Sequence, residues 1–488
     1  PLGQDKDSSG RSSSNANHHP SSQNLGESWC DDRRWHHWLM VDISSPSVVS
    51  NTPDAEVIDI CQRLVRIDSS NYGANGARGE TEVADVVAEL LAEIGVTSTR
   101  YSAVEGRPCL VADWVPEGTD TSRPFLLLHG HSDVVPAAAE DWTVDPFSGE
   151  IRDGFLWGRG TLDMKDFLAM ILSAIRARHR RGEVPSRPVR FILFADEEGS
   201  GDLGSTWMGQ NHPEVFDGVT EAISEVGGFS LPTPSGKRAY VVQSAEKGLW
   251  WFRMKATGLA GHGSMHNPNN AVTRLAAAVN RIASHQWPDL RHPVQEEFLA
   301  RAAELWNLTI DRDDVERSLA PLGPLALMAG SGCTNMVTPT VLDAGYKANV
   351  IPSRATAELD ARFIPGHEDE MIATIKELAG EGIEFETIST KPSVEAPWRG
   401  PAVDAITRAL QAEDDGAVVL PFLNPAGTDG KGFGELPNGR HIDCYGCTPL
   451  RLPEDFEFLS LFHGVDERVP LDALQFGARV VDRILGES

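Results

Sequence analysis

Two kinds of apolar spacing alternate along this chain from about residue 55. Ala55 to Val65 and Glu80 to Ile94 repeat apolar residues every three to four positions, which predicts amphipathic helices. Phe125-Leu126-Leu127-Leu128 is a short continuous apolar run, as a central parallel strand covered on both faces requires, and Val189 to Ala195 reads as a second buried strand. Between them Met164, Phe167, Leu168, Ile171, Leu172 and Ile175 recur at helical spacing, so Asp163 lies at a helix start. Strands alternating with helices predict an α/β fold with a central, mostly parallel sheet flanked by helices.

A different order begins near Lys247. Leu249 to Ala256 reads as a strand, Asn270 to Ile282 as a helix, and Val341 to Phe363 as two strands around a turn at Pro352-Ser353. Glu368 to Leu378 then reads as a helix and Glu384 to Ile388 as a strand. This β-α-β-β-α-β order is the ferredoxin-like split motif. Asp289 to Gly332, long and partly helical, has no place in it. The α/β pattern resumes after Pro392 and closes with a helix over Leu471 to Ile484. The expected organisation is a tail over residues 1–40, a main domain in two pieces, 41–246 and 392–488, and an inserted α+β domain over 247–391.

Composition narrows the possibilities. With 488 residues, 41% of them hydrophobic and 23% charged, the chain can bury the cores of two or three domains. A net charge of −28 argues against nucleic acid or an anionic membrane as the main partner. No apolar run approaches the roughly 20 residues of a membrane span. No segment has the order of a signal peptide, and a cytoplasmic location is expected. The six cysteines are too scattered for a disulfide framework. Cys444-Tyr445-Gly446-Cys447 lacks a second pair to complete a zinc knuckle and reads as two plain thiols, with a redox role as the alternative. Residues 1 to about 40 are rich in Ser, Asn, Gln and His without apolar periodicity, which predicts disorder, and Met40 is the expected natural start.

The chemistry-bearing residues sit where apolar runs meet turns. They are His131-Ser132-Asp133, Asp163, Asp196-Glu197-Glu198-Gly199 and Glu225, with His463 near the C-terminus. Imidazole and carboxylate together suit zinc, with manganese or cobalt able to substitute. Asp163 at a helix start is a candidate bridge between two ions. Asp133, two residues after His131, is a candidate to orient its ring. In Glu197-Glu198 one carboxylate can ligate while the other faces substrate as a general base. An acidic pair ending a buried strand is costly unless partnered. No phosphate-cradling glycine loop followed by a helix accompanies these residues, which argues against a two-metal phosphoesterase.

From about residue 55 onward the sequence resembles the dinuclear metallopeptidase family of aminoacylase, glutamate carboxypeptidase, acetylornithine deacetylase and succinyl-diaminopimelate desuccinylase. The resemblance is carried by Gly130-His131-Ser132-Asp133-Val134-Val135-Pro136, Gly158-Arg159-Gly160 through Asp163-Met164-Lys165, and Glu197-Glu198-Gly199. Gly261-His262-Gly263-Ser264, Asn349-Val350-Ile351-Pro352, Asp360-Ala361-Arg362, Gly427-Thr428-Asp429 and His463 complete it. It implies a zinc-peptidase-like catalytic domain and an inserted lid that is also a dimerisation surface. It further implies two divalent ions, one held by His131, Asp163 and Glu225, the other by Asp163, Glu198 and His463. Asp217 and Glu221 compete with Glu225 for its place. By the same resemblance Glu197 is general base and acid, Asp133 the partner of His131, and His262 the lid histidine that stabilises an oxyanion, sometimes in the partner's site. Arg362, Asn349 and Gly427 match substrate-binding positions. Arg362 would grip a free α-carboxylate, with a salt bridge inside the lid as its alternative. A surface position is the alternative for His262. Asp166-Phe167 stand where the family carries Gly-Gly and are expected to reshape the pocket.

The implied activity is metal-dependent hydrolysis of the amide bond in an N-acyl amino acid or short peptide, by a homodimer paired through the lid. The rivals are an amidohydrolase of the same superfamily acting on a non-peptide amide or amine, and a metal-binding protein without turnover.

Overall fold

In the computed structural model, which describes residues 51–73 and 76–488, the two apolar runs become neighbouring parallel strands, Phe125–His131 and Val189–Phe194. Leu126, Leu128, Phe191 and Leu193 enter the larger core, while Leu127, Ile192 and Phe194 enter one on the opposite face. Because both faces are covered, the cores of both strands, Phe125 to Leu128 and Phe191 to Phe194, are continuously apolar. Val219–Ser224 pairs in parallel with Phe125–His131, and Asp443–Gly446 in parallel with Val219–Ser224. These four strands form the centre of a ten-stranded sheet with antiparallel strands on either side.

Five helices bury apolar stripes in the larger core: Val57–Val65, Glu80–Ala92, Lys165–Arg180, Pro401–Glu413 and Leu471–Glu487. The stretch that fitted no motif forms helices Pro293–Trp306, Val315–Ser318 and Leu325–Ser331. Its Phe298, Leu299, Ala302 and Leu325 join that same core, with the Phe298 ring against the edge of Phe422 on strand Val418–Asn424. Residues 1–40, and with them the expectation about Met40, lie outside the described residues.

The inserted unit is a four-stranded antiparallel sheet in the order Met336–Asp343, Arg354–Phe363, Gly248–Thr257, Ile383–Lys391. Helices Ala271–Ala283 and Glu368–Ala379 cover one face of it. The second strand was expected within Val341 to Phe363, but it begins at Met336 and ends at Asp343. This edge strand is almost wholly exposed and its register breaks between Pro339 and Val341, so no apolar alternation marks it. Residues Val350–Ile351 instead pair with Gly261–His262 as a separate short ribbon.

Cys444 and Cys447 are buried free thiols, in keeping with the plain reading of that pair. Among the described residues no helix is long and apolar enough to cross a membrane.

Candidate metal centre and active site

His131, Asp196 and Glu225 sit at or just beyond the ends of three adjacent parallel strands, the side of an open α/β sheet where ligands bind. His131 is fully buried. Its Nδ1 lies 2.9 Å from the backbone carbonyl of Asp133, and the Asp133 carboxylate stands off at 3.6 Å. The ring is therefore oriented by the peptide of Asp133 and not by its side chain. The opposite nitrogen, Nε2, lies 3.1 Å from Asp163 Oδ1, 3.6 Å from Glu225 Oε2 and 4.0 Å from Glu197 Oε2.

His463 approaches from the far end of the chain. Its Nε2 lies 3.2 Å from Asp163 Oδ2 and 3.2 Å from Glu198 Oε2. The two oxygens of Asp163 thus each meet a different imidazole, one grouped with Glu225 and the other with Glu198. The competitors of Glu225 are engaged elsewhere: Glu221 pairs with Arg187 at 2.6 Å and accepts from the Ala402 N–H, and Asp217 pairs with Arg440 at 2.9 Å.

The Asp133 carboxylate has a different task. It accepts hydrogen bonds from the backbone N–H of Glu197 (3.2 Å) and Glu198 (3.1 Å) and from Asn71 Nδ2 (2.8 Å), fixing the acidic turn. Asp196, at a positive φ of 67°, accepts from Arg107, from Asn71 (3.0 Å) and from the Leu203 N–H (3.1 Å). The turn closes only because residue 199 is glycine, since a Cβ there would run into Asn71 and Asp196.

Burial raises the Glu197 carboxyl well above its usual range, and the neighbouring Glu225 raises it further. Burial, then Asp163, pushes Glu225 up to about 8. Burial also opposes ionisation of Asp163, but the hydrogen bonds from His131 and His463 outweigh it and hold that carboxyl low. Several carboxylates crowd two imidazoles in a buried place, an arrangement that positive charge stabilises. Donor atoms of His131, Asp163 and Glu198, and of His131, Glu197 and Glu225, lie within 4.8 Å of one another. Glu198 Oε1 has no hydrogen-bond partner. An imidazole and carboxylate set with an orphaned buried oxygen fits divalent cations such as zinc.

A cavity of about 160 Å3 adjoins this centre, lined by Glu197, Glu198, Trp251, Arg362, Lys391 and Gly427 among others. Arg362 makes the salt bridge that was its alternative role. Its Nε and Nη2 pair with Asp360 at 2.7 and 3.0 Å, and the residue also lines the cavity. In the Trp250-Trp251-Phe252 run, Trp250 and Phe252 enter the core of the inserted unit and Trp251 lines the cavity. His262 pairs with Val350 on the exposed ribbon and Asn349 stands at the ribbon's end, accepting from the Gly263 N–H; neither lines the cavity, and His262 Nδ1 is 2.8 Å from Ser264 Oγ. Asp166 and Phe167 do not line the cavity either. Both are buried at the start of helix Lys165–Arg180, and Phe167 packs into the main core.

Sequence reasoning missed Lys391, Thr206, Asp429 and Lys431, which also line the cavity. Lys431 pairs with Glu246 at 3.2 Å, and Glu246 accepts from the Thr428 N–H and hydroxyl, fixing the Gly427-Thr428 turn. Of the four, only Asp429 carried a signal, in the Gly427-Thr428-Asp429 motif.

The family model described as Peptidase family M20/M25/M40 matches residues 127–487. The chain belongs to this family. Its members are hydrolases of carbon–nitrogen bonds, and this protein is an enzyme of that class. Among curated relatives, the N-fatty-acyl-amino acid synthase/hydrolase PM20D1 of Xenopus tropicalis is 29% identical over 374 residues, 72% of this chain and 70% of that protein. Aminoacylase-1 of Homo sapiens is 26% identical over 409 residues, 81% of this chain and 87% of that one. In fold, the chain is similar to the M20 family metallo-carboxypeptidase Sso-CP2 of Sulfolobus solfataricus, with a TM-score of 0.67, 17% identity, and coverage of 88% of this chain and 98% of that one. It is also similar to YXEP of Bacillus subtilis, a dinuclear metal binding peptidase, with a TM-score of 0.55, 14% identity, and coverage of 89% and 99%.

Proposed function

We propose that this M20 enzyme hydrolyses the amide bond of N-acyl amino acids or short peptides that carry a free α-carboxylate, with Glu197 as general base and acid. The observation that carries this reading is the placement of Glu197 on the wall between the paired-histidine centre and the Arg362 cavity. His131, Asp163 and Glu225 would hold one divalent ion and Asp163, Glu198 and His463 the other, zinc being the choice that imidazole and carboxylate favour. Bound there, the ions supply Lewis acidity and lower the proton affinity of water.

The chain's own residues do the rest. Arg362 holds the substrate carboxylate with the guanidinium edge not engaged by Asp360. Glu197 takes a proton from the attacking water and returns it to the leaving amine, a task suited to a carboxylate that stands beside His131 and also lines the cavity. The Asp133 carboxylate keeps Glu197 and Glu198 in place through their peptide N–H groups. His262, exposed on its ribbon beside Leu259 and Met265, serves the oxyanion from a second copy's lid, and those exposed apolar residues support such pairing.

The test is hydrolysis of N-acyl amino acids and dipeptides, each beside its α-carboxamide, by chelated protein reloaded with zinc, manganese or cobalt. Metal-restored cleavage that collapses when the carboxylate is masked is expected. Two bound ions with no cleavage anywhere in the panel would refute the substrate class. Glu197→Gln is expected to keep both ions and lose at least about a hundredfold in kcat.

A further inference from the structure

The two imidazoles that meet at Asp163 are supported very differently. His131 ends a central strand and is fully buried, whereas His463 lies on a loop, half-exposed, at a positive φ of 55°. A side chain on such a loop needs an outside hold to stay within reach of Asp163 and Glu198.

That hold comes from Glu467, four residues further on and fully buried. Its Oε1 accepts the N–H of Leu162, the residue before Asp163, at 2.7 Å. Its Oε2 pairs with Arg159 Nη1 at 2.6 Å. Arg159 Nη2 then donates back to the carbonyls of Gly464 (3.0 Å) and His463 (3.3 Å). The peptides agree with the side chains: the Gly158 N–H donates to the Glu467 carbonyl at 2.9 Å, and Arg468 pairs in register with Trp157. One ion pair thus joins the turn bearing Asp163 to the loop bearing His463, about 300 residues apart in sequence.

We propose that Arg159 and Glu467 are positioning residues for one of the two metal positions, the one formed by Asp163, Glu198 and His463; this rests on the ligand assignment above. A buried ion pair gives little net stability over a well-packed apolar pair, because desolvating the charges offsets their attraction. What an apolar pair could not do is bind the Leu162 N–H and the His463 and Gly464 carbonyls at once. The other metal position shares only Asp163 with this link. His131 is fixed by the Asp133 peptide, and Glu225 follows its own strand, Val219–Ser224. Glu198 is held separately, by Asp133. With two of its ligands, Asp163 and His463, on the linked segments against one for the other position, the His463 position should take the larger loss, by the 10- to 100-fold that partners of metal ligands typically command.

The experiment is zinc titration of the chelated protein, parent and variants, by calorimetry and by metal content after dialysis. Near-ultraviolet circular dichroism and thermal unfolding accompany it. Glu467→Gln and Arg159→Met are each expected to keep one zinc within about threefold of parental affinity and to weaken the other about 10- to 100-fold. The double variant should be little worse than either single one, because the two act as a unit. Two zinc ions at parental affinity in both folded variants would overturn the proposal. So would an equal weakening of both ions, which is what general destabilisation produces. His463→Asn separates the two readings. If it leaves both zinc affinities unchanged, the ligand assignment fails and the proposal with it. If it alone weakens one ion, the assignment stands and the positioning role is overturned.

Discussion

Replacing Asp133 tests the claim that its carboxylate exists to hold the Glu197-Glu198 turn. In Asp133→Ala the peptide N–H groups of Glu197 and Glu198 lose their acceptor, while Asn71 keeps its bond to Asp196 at 3.0 Å. Two part-buried donors left unpaired cost about 1–3 kcal/mol each, or roughly 2–6 kcal/mol together. Removing one negative charge from an acidic interior returns something on the order of 1 kcal/mol, since Asp133 is among the charges that push up Glu80. The hydrogen bonds win, and the net loss should be about 3 kcal/mol. Asp133→Asn keeps one acceptor oxygen and turns an NH2 toward one of the donors, so it should lose roughly half as much. The assay is urea unfolding of metal-saturated protein, reading the midpoint at constant m. Turnover should fall by about a hundredfold in the Ala variant, because its acidic turn is no longer held at reacting distance. An Ala variant within 0.5 kcal/mol of the parent (roughly the scatter of neutral substitutions) would refute the reasoning. So would an Asn variant less stable than the Ala one, since hydrogen-bond acceptance would then not be what the carboxylate supplies.

Arg362→Met should raise KM at least about tenfold for substrates with a free α-carboxylate and leave their carboxamides nearly unaffected; equal effects on both would assign Arg362 to the Asp360 salt bridge alone. Glu80 and Glu225, both pushed up to about 8 chiefly by burial, bind more protons folded than unfolded between about pH 4.5 and 8. His463, raised to about 10 by hydrogen bonds to Asp163 and Glu198, acts in the same sense at higher pH. Chelated protein should therefore lose thermal stability as pH rises from about 5 to 9, and saturating zinc should flatten the profile; a melting temperature that climbs over that range without metal would contradict this. Gly228, at φ +77°, has the Thr448 backbone where a Cβ would go. Gly228→Ala should cost several kcal/mol, on the order of 3, in unfolding midpoint, and an unchanged midpoint would mean that the turn beyond Glu225 relaxes freely.

The sequence by itself determined what depends on near neighbours. Phe125 to Leu128 and Phe191 to Phe194 are continuous apolar runs because both faces of the strand are buried, and that is visible without a structure. The helix after Asp163 and the β-α-β-β-α-β order of the insert follow from spacing of the same kind. The edge strand Met336–Asp343 was misplaced because an exposed edge has no buried face to impose a pattern. Tertiary structure alone decided the matters that depend on which distant residues meet. It brought Glu225 to His131 while Glu221 and Asp217 went to arginines, and it placed Trp251 in the cavity lining. It gave the Asp133 carboxylate the Glu197 and Glu198 peptides in place of the imidazole, and joined Glu467 to Arg159 across the chain. Periodicity records which side of an element is buried. Which carboxylate answers which cation depends on the path of the backbone between them, and that path is set by packing of the whole fold.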